Sequence, residues 1–175
     1  DISQLQSDLK NKKNVMYPPQ FRAVNKIQIH ELLGISLNKV EKKSSAKLIN
    51  AIIKQRSIKS DEEIIKIKNA LKITNLIHLK SMTATKPGKY EYEIVSEMEK
   101  IIKDHSVELA YPIIFTKNGQ ILHNSIYDNK IEKGNLLLND SGANSKLHYA
   151  SDITRTFPAD GKFSNQQKEI YLIVQ

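Results

Sequence analysis

The chain has 175 residues, 39% of them hydrophobic, and a formal net charge of +8. That apolar content supports a packed core and argues against disorder, while the lysines are spread too evenly to make a nucleic-acid-binding arm. The absence of cysteine excludes disulfides and thiolate metal sites, and no apolar run approaches the roughly 20 residues of a membrane span.

The first 55 residues read as helical. Ile2, Leu5 and Leu9 recur at helical spacing until Tyr17-Pro18-Pro19 breaks the pattern. A second helix is predicted over about 23–33, stopped by Gly34, and a third over about 45–55 with Ala46, Ile49, Ile52 and Ile53 on one face. After the polar connector 56–59, Ser60 and Glu63 form a capping box. A long helix follows, with Ile64, Ile67, Leu71 and Ile77 among its apolar positions, and Pro87-Gly88 ends it. The next helix, about 90–103, turns Ile94, Val95, Met98, Ile101 and Ile102 inward.

From Tyr111 the period becomes strand-like. Residues 113–116 and 120–123 flank Asn118-Gly119, which predicts a hairpin. Lys133-Gly134 is a turn, 136–140 an apolar strand ending on Asp140, and 147–157 a further strand. A last helix begins near Ser164. The fold class is α+β, with helices on one face of a curved, mainly antiparallel sheet. Residues 1–55 read as the C-terminal part of an N-terminal domain, and 56–175 as a second unit. Asp1 is not an initiator methionine and no signal-peptide pattern follows, so the sequence reads as a cut piece of a cytoplasmic protein.

Asp140 and Asp152 on neighbouring strands can point to one side and meet. Two bare carboxylates at that distance repel, and one would keep a proton. Divalent cations remove the conflict, and an all-oxygen set suits manganese, magnesium, zinc or cobalt. Two such ions roughly 3.5–4 Å apart support hydrolysis of a polarised carbonyl. By spacing alone, turn or surface chemistry explains two aspartates in a hairpin better than a metal role does. If the last strand is unbroken, His148, Ala150, Asp152, Thr154 and Thr156 share a face. Thr154 is then placed to hydrogen-bond a metal-bound carboxylate, with Arg155 opposite. His78 reads as a packing residue, and His30 and His105 as helix-surface residues.

Asn139-Asp140-Ser141-Gly142-Ala143, Ser151-Asp152-Ile153-Thr154-Arg155-Thr156-Phe157-Pro158 and Gly161-Lys162-Phe163-Ser164 strongly resemble the aminopeptidase P and prolidase family. So do Ile121-Leu122-His123 before Lys133-Gly134, Arg56 to Ile64, and Lys86-Pro87-Gly88 with Tyr90-Glu91. The resemblance implies a pita-bread fold, with 56–175 as the N-terminal half of the catalytic domain. It implies release of the N-terminal residue from peptides with proline second. It implies two divalent metal ions, manganese first and zinc or cobalt next, with Asp140 on one and Asp152 bridging both. His123 takes the place beside the substrate carbonyl. The remaining ligands of the family, a histidine and two glutamates, lie further along, so these 175 residues are expected to bind metal weakly and to be inactive. The partners implied are a proline-containing peptide and a second copy of the chain in a homodimer or higher homo-oligomer, with no specific nucleic acid and no membrane.

Three departures stand out. The family's Asp-Ala-Gly, with a glutamate two residues on, is here Asp140-Ser141-Gly142-Ala143-Asn144. Asn124-Ser125 replaces Tyr-Thr after the histidine. The two aspartates are separated by one residue more than is usual, which a turn near 144–146 or a bulge must absorb. Two other readings compete: a metal-free pita-bread binding module for protein or nucleic acid, and a methionine aminopeptidase. Retention of Asp140, Asp152 and His123 argues against the first, and Thr154 to Pro158 against the second.

Overall fold

In a computed structural model, which describes residues 2–11, 14–121 and 123–175, helix ends fall where the capping chemistry puts them. The chain forms two compact units, Asp1–Lys59 and Ser60–Gln175. The first holds α1 (Ile2–Lys10), α2 (Ala23–Leu33), α3 (Leu37–Val40) and α4 (Ala46–Ser57). Gly34 closes α2 in the left-handed conformation, φ 63°, its N–H bonded to His30 O. Within this unit the Tyr17 hydroxyl donates to Val40 O at 2.8 Å, and both residues are buried.

The second unit begins with α5 (Asp61–Ala84), started by the reciprocal Ser60–Glu63 capping box, and α6 (Glu91–Asp104). Short β1 (Glu108–Leu109) and β2 (Ile114–Thr116) follow, then β3 (Leu136–Ser141), β4 (Ala143–Asn144), β5 (Ile153–Pro158) and α7 (Asn165–Val174). The main sheet runs β2-β3-β5, all antiparallel, and β1 pairs with β4. Strand alternation sends Leu137, Asn139 and Ser141 to the buried face of β3 and leaves Leu136, Leu138 and Asp140 half-buried on the other. The core joins Ile94, Val95, Met98 and Ile102 of α6 and Ile77 of α5 to Phe115, Leu137 and Phe157 of the sheet. Phe115 and Phe157 lie with ring centroids 6.5 Å apart.

Three expectations need correction. The hairpin at Asn118-Gly119 does not form: 118–121 are turn and bend rather than strand, and Leu122 lies outside the described residues. The backbone groups that would zip it are taken elsewhere. The Lys117 N–H donates to the buried Glu91 carboxylate at 2.8 Å, and the Tyr127 hydroxyl donates to Ile113 O. The inward face of α5 is also different. Ile64 and Leu71 remain partly exposed, and the side turned to the sheet carries Ala70, Thr74, Ile77, His78 and Ser81.

Thirdly, the last strand begins at Ile153 rather than near Leu147. Ser145 N–H donates to Tyr149 O at 3.0 Å and His148 N–H to Ser145 O at 2.8 Å, with His148 at φ 62°. This is a three-residue hairpin loop whose third residue is left-handed. His148 is therefore a turn residue, not part of a strand face. The register is unbroken outside this loop, since Asn144 opposes Ala150 and Ser141 opposes Ile153. The additional residue between the aspartates thus resides in the turn and leaves strand parity unchanged.

Candidate metal centre

Asp140 is the fifth residue of β3 and faces away from the helices, opposite Thr154 of β5 and Ile114 of β2. Asp152 lies just before β5, on the same side by parity. Gly142, its register neighbour, is required here by close approach rather than by φ. A Cβ on it would stand 1.8 Å from Ser151 O.

Both carboxylates meet the hydroxyl of Tyr111, Asp140 Oδ1 at 2.6 Å and Asp152 Oδ1 at 2.7 Å. Those two oxygens are therefore no further apart than 5.3 Å, the two distances end to end. Tyr111 follows β1, where Ala110 N–H bonds Gly142 O at 2.9 Å and ties its segment to the strand end carrying Asp140. Burial, then hydrogen bonding to the two carboxylates, pushes the phenol well above its usual range, so it stays protonated. Sequence reasoning missed Tyr111; its partners are 29 and 41 residues away, beyond any local pattern.

A phenol has one proton to donate, yet it touches two acceptor oxygens. The carboxylates also repel one another unless a proton or cation lies between them. A convergent set of hard oxygen donors with uncompensated charge fits divalent metal ions. Asp140 and Asp152 are the residues that would hold them. No group of three or more metal-ligating side chains occurs among the described residues.

His123 joins the same site by a different route from the one its sequence implied. It sits at φ 56° in the irregular segment after β2, exposed, and lines a cavity of about 470 Å³ with Tyr111, Pro112, Ile114, Asn124, Ser125, Asp140 and Asp152. Thr154 is exposed and lines a neighbouring groove with Arg155 and Tyr171; the hydrogen bond to the two carboxylates comes from Tyr111. His148 is exposed in its turn, and His78 is buried behind β3.

A mixed α+β layer with helices on one face of an antiparallel sheet is the arrangement of the pita-bread fold. The sequence pattern of metallopeptidase family M24 matches residues 65–175, and the chain belongs to that family. It is 42% identical over 122 residues to the Xaa-Pro aminopeptidase of Haemophilus influenzae, covering 68% of this chain and 28% of the relative. Against the Xaa-Pro aminopeptidase of Escherichia coli it is 40% identical over 124 residues, covering 68% and 27%. The structure of E. coli aminopeptidase P with the inhibitor Pro-Leu superposes with a TM-score of 0.65 at 39% identity, covering 69% of this chain and 28% of that one. A zinc-substituted E. coli aminopeptidase P in complex with product gives a TM-score of 0.80 at 30% identity over 98% of this chain and 42% of that one. The chain thus spans little more than a quarter of the length of these curated relatives. Among the described residues no helix is long and apolar enough to cross a membrane.

Proposed function

We propose that this chain is the metal-binding first half of the catalytic domain of an Xaa-Pro aminopeptidase, preceded in 1–55 by the end of an N-terminal domain. The observation that carries the reading is the convergence of Asp140 and Asp152 on one hydroxyl, in one cavity with His123. The neighbours named Xaa-Pro aminopeptidase and the Pro-Leu complex of one of them support peptides with proline second as the substrate class. In this reading Asp140 and Asp152 hold two divalent ions, manganese in the first place with zinc or cobalt as alternatives. When bound, the ions supply an activated water and polarise the scissile carbonyl.

The chain's own residues do the rest. Tyr111 keeps the two carboxylates converged. His123, on the cavity wall, donates a hydrogen bond to the reacting carbonyl or the leaving group. Thr154, opposite Asp140 in the register of β3 and β5, is the residue placed to hydrogen-bond that carboxylate once metal is bound. The intact enzyme works in the cytoplasm as a homo-oligomer. These 175 residues alone bring two carboxylates to ions that take five or six ligands, so by themselves they bind metal weakly and do not turn over.

The test uses the full-length protein with manganese and a peptide carrying proline second. It releases the first residue, and Asp152→Asn abolishes release. Undiminished activity in Asp152→Asn would refute the assignment.

A further inference from the structure

The face of α5 turned to the sheet is polar in one place only. Thr74, His78 and Ser81 are buried there, while Ile77 between them joins the apolar core. Opposite them stand Asn139, Ser141 and Ser151, also buried. These three residues are the immediate chain neighbours of the aspartates: Asn139 and Ser141 flank Asp140, and Ser151 precedes Asp152.

The hydrogen bonds close into a complete set. Asn139 Nδ2 donates to Ser81 Oγ at 2.8 Å and to His78 Nδ1 at 3.3 Å. His78 Nε2 then carries the proton and donates to Ser141 Oγ at 3.3 Å, and Ser141 Oγ donates to Asn139 Oδ1 at 2.9 Å. Beside this ring, Thr74 Oγ1 meets Ser151 Oγ at 2.6 Å and accepts from Ala143 N–H at 2.9 Å. Ser151 Oγ donates to Ala143 O at 3.1 Å. With Ser141 fully buried, its pairing with His78 is not a nucleophile site.

A buried polar cluster contributes little net stability over an apolar one of the same shape. What it adds is direction. Apolar contacts tolerate sliding, whereas a closed ring of hydrogen bonds defines distance and angle. In a strand, holding residues 139 and 141 from behind determines where the side chain of 140 points in front. We propose that Thr74, His78 and Ser81 of α5 are positioning residues that set the aim and separation of the Asp140 and Asp152 carboxylates. The inference rests on the metal-binding reading above and deepens it.

The experiment measures manganese binding by calorimetry and the manganese–manganese coupling by electron paramagnetic resonance, in the full-length protein. The variants are Thr74→Val and Ser141→Ala, with Thr74→Ser as the conservative rescue and Asp152→Asn as reference. Melting temperatures are taken with chelator present. The expected result is a loss of manganese affinity of about tenfold or more in Thr74→Val and Ser141→Ala. The coupling is altered, both variants still fold cooperatively in chelator with a modestly lowered melting temperature, and Thr74→Ser recovers the affinity. Parental affinity and coupling in both variants, with binding lost in Asp152→Asn, would overturn the positioning role alone. Parental binding in Asp152→Asn would overturn the metal reading itself. If neither variant folds without metal, the row is a stability element and the proposal falls.

Discussion

Gly142→Ala tests how tightly the strand end between the aspartates is built. The added methyl would lie 1.8 Å from Ser151 O and 2.8 Å from Ser151 C, both backbone atoms. Even the closest separation that real Cβ atoms reach, 3.0 Å, requires the β4–β5 connection to open by 1.2 Å. Opening it strains the bond from Ser151 N–H to Ala143 O at 3.0 Å and the side-chain bond from Ser151 Oγ to the same oxygen at 3.1 Å. Overpacking costs about 1–3 kcal/mol, and each weakened buried hydrogen bond adds about 1 kcal/mol. The expected destabilisation is therefore about 3–5 kcal/mol. Urea unfolding followed by circular dichroism measures it, with hydrogen exchange at the Ala143 and Ser151 amides reporting locally. Gly119→Ala is the control, since its methyl would meet the flexible Leu138 Cδ1 at 3.3 Å. A Gly142→Ala protein within about 0.5 kcal/mol of the parent, still protected at both amides, would refute the close-approach argument.

Tyr111→Phe removes the hydroxyl between the two carboxylates and lowers metal-free stability by about 1 kcal/mol; an unchanged melting temperature in chelator would contradict this. His78 gives a pH signature. Burial holds its pKa below the ordinary 6.5. The unfolded chain therefore takes up this proton at a higher pH than the folded one. The stability it contributes is complete above about 6.5 and falls as the pH drops through that value toward the lowered one. His78→Gln flattens the melting temperature between about pH 7 and 5 relative to the parent, and equal slopes in the two proteins would rule the linkage out.

Local chemistry was legible in the sequence because its partners are close along the chain. The Ser60–Glu63 box, the left-handed Gly34 and the inward set of α6 depend on residues three or four apart, and all appear where expected. The alternation along 136–141 was legible in the sequence, but Asp140 and Asp152 share one side of the sheet only because the three-residue loop between them sets the register in which Asp140 opposes Thr154. Tertiary structure decided what local pattern leaves open. The Asn118-Gly119 turn signal is strong, yet Glu91, 26 residues back, captures the Lys117 N–H that a hairpin needs. The α5 face looked apolar by period but is chosen by the polar neighbours of the aspartates, roughly 60 to 80 residues downstream. Tyr111 carries no motif, and only the pairing of β1 with β4 brings it to the carboxylates. Spacing places side chains on a face; a hydrogen bond between distant segments exists only once the chain has folded around it.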